Sequence, residues 1–377
     1  MGNLEISTDN QNHGLDDLIL EILSRLPVRS VHRFKCVSVS WRNLIANPAN
    51  RKKFPQTLSG FLYMTNDKSG QRHHFASVSG DGAAPFDPGL PFLQPNKFKD
   101  MAQMDACNGL LLDLCSSKNM VNPWAWAEDD CRFVVCNPVT GRWVELPPQP
   151  QSPAYRYIYS RMDGLAFDPA VSSHFHVFCF EETSFETYMT GVNIYSSQTG
   201  AWSRSDGGIV EKVALFFYTK GVFVNGMMYV YVIGNLNGIS NEYVLLGMDM
   251  QGKVRKTIPM PYGRRFGMIG TSQGCLVYAV ASIELWCLKD CDSKELVLKH
   301  TASIDELMSM TGKKYRMAGI HPDCDTIYLV SRGGDTMVPY DMQHQKVGCI
   351  LNIEKNTQRF LPYVPLFSES LADGDRQ

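Results

Sequence analysis

His174 and His176, one residue apart in a β-rich run, would place two imidazoles on one face of a strand, which is half of a metal site. No second pair of ligands stands at a matching spacing, and histidines on the solvent face of a strand are the commoner case. Cys287 with Cys291, and Cys131 with Cys136, are isolated spacings rather than the paired CxxC of a zinc centre. Cysteines within strands are more often small core residues. Gly312-Lys313-Lys314 lacks the upstream glycine of a phosphate loop, and no nucleophile elbow, HExxH or dinucleotide fingerprint stands in strand–turn–helix context. What remains is the chemistry of recognition. Trp124 and Trp126, beside Glu128, Asp129 and Asp130, interrupt the surrounding rhythm as an aromatic loop suited to a binding hot spot, or equally to packing on its own rim. Tyr155, Arg156, Tyr157, Tyr159 and Arg161 form an aromatic-basic cluster whose composition suits an acidic or phosphorylated segment. The expectation is therefore a protein that binds without a catalytic residue, metal or cofactor.

The elements that must position these residues fall into two classes. Residues 15–45 hold 15 Leu, Ile, Val, Phe or Trp among 31 residues and read as three short helices. Leu18, Ile22, Leu23 and Leu26 recur at helical spacing, and Ile19 and Leu20 widen the apolar stripe. Pro27 stops the first helix. Ser30 caps a second that carries Val31, Phe34 and Val37. Ser38 or Ser40 caps a third with Trp41, Leu44 and Ile45, closed by Asn47-Pro48. About forty residues seldom bury enough surface to fold alone, so another surface must cover these helices. That cover could be the rest of the chain, as in the N-terminal subdomain of an enzyme, or a second protein.

The helical segment closely resembles an F-box, the adaptor-binding module of SCF-type (Skp–cullin–F-box) ubiquitin ligases. The likeness rests on the EIL–LP–S–RF–VS–W–LI framework of Glu21 to Ile45. One departure is visible: the family usually opens with Leu-Pro, whereas this chain reads Gly14-Leu15-Asp16-Asp17-Leu18. The resemblance implies docking on a Skp-type adaptor, and through it on a cullin and a RING protein. It favours Leu18, Ile22, Leu26, Pro27, Val31, Phe34, Val37 and Trp41 as the docking face, with Leu26-Pro27 deepest. Val37 and Trp41 could instead pack the helices internally. Residues 14–54 carry eight basic against three acidic side chains, a net charge of +5, which suits an acidic partner. So much apolar surface argues against a DNA-binding helical domain.

From about residue 59 helical periodicity gives way to short β-rich runs between Gly, Pro, Asn and Asp. One hairpin repeats. Val135 to Trp143 (VCNPVTGRW) is echoed by Ile194 to Trp202 (IYSSQTGAW), more weakly at 247–253 and 340–346, and in degenerate form from Trp286 to Val297. A second unit, glycine followed by an apolar strand, begins at Asn108-Gly109, Asp163-Gly164, Asn225-Gly226 and Gln273-Gly274, with spacings of 55, 62 and 48 residues. Two hairpins per roughly 50 residues are the arithmetic of a kelch-like blade, and the remaining chain holds about six. A stacked β-sandwich, the alternative, leaves the period unexplained. Trp143 and Trp202 occupy matching positions and read as packing residues; truncating a buried Trp143 should cost on the order of 3–5 kcal/mol. CNPVTGRWVELP, FDPAVSSHFHVF and LPYVPLFSESLA resemble the F-box-associated interaction domain common in plants, especially grasses. In that family the domain recruits substrates.

At 377 residues with 44% apolar and 20% charged content, the chain has the composition of a globular protein of two domains. A net charge of −2 gives no reason to expect nucleic-acid binding. No apolar run reaches membrane-spanning length, and the N-terminal stretch lacks the apolar core of a signal peptide. Ile6 stands where a myristoylation start needs Ser or Thr. Eleven scattered cysteines suit the reducing cytoplasm or nucleus. The expected plan is a tail over 1–13, an F-box over 14–54, a β-propeller-like substrate-binding domain over 59–367 and a tail over 368–377. The expected function is a non-catalytic substrate receptor of an SCF-type ligase. The alternatives are an F-box protein that binds without causing degradation, and a propeller that binds glycans or acts as an enzyme.

Overall fold

In the computed structural model of the chain, residues 9–26, 30–31, 34, 37–46, 50, 53, 58–67, 70–78, 84–93, 97–118, 131–150, 162–169, 171–182, 188–208, 213–215, 220–236, 239–261, 267–280, 283–290, 292–303, 308–309, 312–355, 357–366 and 371 are described. They form two compact units, the second beginning at Leu58.

The first unit holds helices α1 (Asp9–Ser24) and α2 (Val39–Ala46). α1 begins five residues inside the segment expected to be a tail. α2 starts as its sequence suggests: the Ser38 hydroxyl accepts the Trp41 N–H at 3.1 Å, which satisfies one of the orphan donors of the first turn.

The second unit is a six-bladed β-propeller, so the sandwich reading is set aside. Blade 2 is built from Asp100–Cys107, Leu110–Ser116, Cys131–Asn137 and Arg142–Glu145, paired antiparallel in that order. Blade 3 comprises Asp163–Ala166, His176–Glu182, Met189–Ser196 and Ala201–Ser205. Blade 5 runs from Gly267–Ser272 to Leu296–Thr301, and blade 6 from Tyr315–Ile320 to Leu351–Asn352. In blade 4 the inner strand is broken in two: Val213–Leu215 and Val222–Val224 both pair with Met227–Leu236. Second strands such as Leu110–Ser116 are buried along their whole length because blades cover both faces, hence their near-continuous apolar character.

Blade 1 has a different origin. Gly60–Asp67 and Gly70–Ser77 come from the start of the unit, and the inner strand, Thr357–Tyr363, comes from its far end. Gly60 pairs with Tyr363 and Leu62 with Leu361. The six inner strands then touch in a closed ring, each contacting the next from blade 1 round to blade 6 and back. Beyond the closing strand, Leu366 and Leu371 pack into the core between blades 2 and 3. The Asn137 amide donates to the Leu366 carbonyl at 2.9 Å.

The repeated signals have distinct causes. Asn108-Gly109, Asn225-Gly226 and Gln273-Gly274 are two-residue turns with both residues at positive φ, joining the first and second strands of blades 2, 4 and 5. Asp163-Gly164 is no such turn. It lies within the inner strand of blade 3, where Gly164 faces the Met228 side chain of blade 4, 2.9 Å from where a Cβ would stand. The 55 and 62 spacings therefore sum to two blades without marking either one. In the other hairpin an Asx carboxyl or amide closes the turn at the end of the third strand: Asn137, Asp249, Asp290 and Asp341 each accept a backbone N–H two residues on.

Trp143 and Trp202 do pack, but each is only half-buried. Trp143 meets Phe98 edge-on at 6.3 Å, and Trp202 donates its indole N–H to the Pro147 carbonyl of the preceding blade at 2.9 Å. The expected cost of truncating Trp143 falls accordingly to about 2 kcal/mol. Between blades 1 and 2, Asp113 is wholly buried. The Cys136 thiol lies 3.5 Å from its carboxyl, and burial pushes that carboxyl up to about 7.

Candidate functional site

The first unit has a small interior. Leu23, Val31 and Ile45 are buried together, with Ile19, Leu26, Phe34 and Trp41 packed partly against them. Phe34 and Trp41 lie with ring centroids 5.3 Å apart. Helical geometry separates these residues from another set. Leu15, Leu18 and Ile22 stand at i, i+3 and i+7 of α1 and are 56%, 57% and 53% exposed; Val37, just before α2, is 60% exposed. Large apolar side chains so far out of the core are of the kind that interaction surfaces use. The polar residues between them contribute little: the exposed Glu21–Arg25 pair at 2.5 Å and the exposed Asp17–Lys53 pair at 3.3 Å are of the kind worth under about 1 kcal/mol.

Of the eight residues expected on the docking face, Leu18, Ile22 and Val37 point outward. Leu26, Phe34 and Trp41 are half-buried against the helical core, and Val31 is turned into it. Pro27 lies outside the described residues. Sequence reading missed Leu15, although it stands one turn before Leu18 on the same stripe. The signal was there to be used.

Trp124, Trp126, Tyr155, Arg156, Tyr157 and Arg161 also lie outside the described residues. The propeller is entered at residue 58, beside the end of the closing strand, where the Ser59 N–H meets the Tyr363 carbonyl at 2.9 Å.

The other chemical candidates are scattered by the fold. His176 opens a strand of blade 3, where burial holds its imidazole below the usual range, with His174 adding to the effect. Cys131 and Cys136 sit towards opposite ends of one strand. Among the described residues no three His, Cys, Asp or Glu side chains are grouped to hold a metal ion, and no helix is long and apolar enough to cross a membrane.

Two family models match the chain. Residues 16–53 match the F-box domain, and residues 90–364 match the β-propeller of F-box protein At3g26010-like. Among curated proteins of Arabidopsis thaliana, the chain is 27% identical to F-box protein At3g26010, over 94% of this chain and 83% of that one. It is 28% identical to F-box protein At5g07610 over 70% of this chain, spanning 63% of that relative's length. The putative F-box/kelch-repeat protein At4g22430 is 26% identical, over 88% of this chain and 78% of its own.

Proposed function

The chain belongs to the plant F-box proteins with an At3g26010-like β-propeller, and on that footing we propose that it is the substrate-recognition subunit of an SCF-type ubiquitin ligase. The outward-facing Leu15, Leu18, Ile22 and Val37 of the helical unit, together with Leu26 and Pro27, dock on a Skp-type adaptor, which links the chain to cullin and RING proteins. The propeller holds a target protein. No bond chemistry is required of this chain: it raises the local concentration of a target lysine near the charged ubiquitin thioester. Nine cysteines among the described residues stand outside any disulfide, which suits a place in the cytoplasm or nucleus.

The observation that carries the reading is the exposed apolar row on a helical unit that buries four apolar side chains among its described residues. Each such anchor contributes roughly 1.5–3 kcal/mol when buried by a partner. Affinity capture with the Leu18→Asp/Ile22→Asp variant tests it, since both side chains are outside the core. Adaptor should be recovered with the wild type and lost, by a factor of about 100 or more, with the variant. Equal recovery from both would reject this docking face.

A further inference from the structure

One member of the exposed apolar row lies outside the matched F-box. Residues 16–53 carry the match, whereas α1 begins at Asp9 and Leu15 is its seventh residue. At about 100° per residue, Leu15 and Ile22 stand about 20° apart around the helix, with Leu18 about 60° from Leu15 on the same side. The half-buried Ile19 and Leu26 border this row towards the helical core, and the exposed Glu21–Arg25 pair borders it on the other side. The result is a narrow apolar row with a polar rim, in which a further anchor adds length rather than width. Leu18 to Ile22 span about 6 Å along the axis, and Leu15 lengthens the row to about 10.5 Å.

The local sequence explains the extra turn. Gly14-Leu15 stands where the family usually opens with Leu-Pro. A proline at position 15 would offer no N–H to the carbonyl of residue 11, and its ring would clash with that carbonyl, so a helix would begin at or after it. Leucine is a strong helix former, and α1 runs through it from Asp9. The departure therefore changes two things together. It continues the helix, and it sets a large apolar side chain, 56% exposed, one turn ahead of Leu18.

We propose that Leu15 is a specificity residue of the adaptor interface, selecting a Skp-type adaptor whose apolar docking surface reaches one helical turn beyond the matched F-box. The proposal rests on the receptor reading above. Continuity decides for the adaptor over a second copy of this chain: Leu15 is in line with Ile22, so a surface that covers Leu18 and Ile22 ends against Leu15. An adaptor that is apolar there gains a buried leucine. One that carries a charge or a polar group there must desolvate it without a partner, and the difference between the two is what discriminates.

The test is the Kd of the full chain for each of a panel of purified Skp-type adaptors, measured by calorimetry with the wild type, Leu15→Ala, Leu15→Met and Leu15→Pro. For the adaptor bound tightest, Leu15→Ala should weaken binding by about tenfold. For the adaptor bound weakest the change should be under about twofold, so that the ranking flattens. Leu15→Met keeps the apolar volume and should stay within about twofold of the wild type. Leu15→Pro removes anchor and turn together and should weaken binding at least as much as Leu15→Ala. Leu15 is outside the helical core, so the thermal transition of Leu15→Ala should match that of the wild type, which keeps lost affinity distinct from lost fold. Equal weakening for every adaptor, no weakening for any, or a Leu15→Pro variant that binds as the wild type does would each overturn the proposal. The Leu18→Asp/Ile22→Asp variant runs alongside. If it loses every adaptor while Leu15→Ala loses affinity for none, the receptor reading stands and this inference falls; a wild type that binds no adaptor removes both.

Discussion

The helical unit and the propeller solve the problem of apolar surface in opposite ways. The propeller buries its apolar residues in six clusters between and within blades, and ties its last strand to its first so that the ring has no open seam. Among the described residues, the helical unit buries four apolar side chains, Leu20, Leu23, Val31 and Ile45, and leaves four large ones outside. One region closes on itself; the other leaves large apolar side chains uncovered. Size is the physical reason, because surface-to-volume scaling leaves a few short helices with more apolar face than interior.

The contrast is broken most forcefully by deleting residues 357–377. The propeller loses its closing strand and the Leu366 and Leu371 contacts, and should lose its cooperative thermal transition outright. Adaptor capture should survive, since the docking row is on helices that keep their own core. Loss of capture in that deletion would show that the two regions do not fold independently. A second variant sharpens what closure costs. Asp113 is buried among apolar neighbours with its folded-state pKa raised to about 7 from 3.8. The folded state then holds a proton that the unfolded state has released, so stability is present below about pH 4 and falls as pH rises towards 7. Asp113→Asn should raise stability at pH 8 by on the order of a few kcal/mol and change little at pH 4. Denaturant melts at the two pH values check this; a gain that is equal at both would refute it.

The smallest contrast lies within the propeller. Gly109 and Gly200 both have positive φ, at 87° and 67°, but a Cβ on Gly109 would fall 2.2 Å from Leu366 Cβ while one on Gly200 meets nothing within 4 Å. Gly200→Ala should cost about 1 kcal/mol from backbone strain alone. Gly109→Ala adds overpacking and should cost about 3 kcal/mol, read from urea midpoints. Equal costs would mean that the tail around Leu366 yields freely.

Much of this architecture was legible in the sequence because its causes are local. The Asn-Gly and Gln-Gly turns and the VCNPVTGRW hairpin announce themselves by residue type, and counting them gave about six blades. Asp163-Gly164 misled because a glycine within a strand looks, in one dimension, like a glycine needed for a turn. Closure was illegible for a different reason: Gly60 and Tyr363 pair across 303 residues, and nothing in either strand names the other. The docking row could be read from helical spacing, except that spacing alone did not separate Val31, which faces the core, from Val37, which faces out.

Closure by a strand from the far end also sets an order of events in biosynthesis. At about 5–20 residues per second, the ribosome needs roughly 15–60 s to go from Gly60 to Tyr363. Throughout that interval the adaptor-binding helices have already been made while blade 1 waits with an unpaired edge, and a waiting edge is a template for the wrong neighbour. On the receptor role proposed above, a nonsense codon between Leu58 and Thr357 would thus yield a product that keeps the docking helices with no closed ring to hold a target. Such a fragment would act in the cell as a competitor of the intact receptor rather than as a simple loss of it.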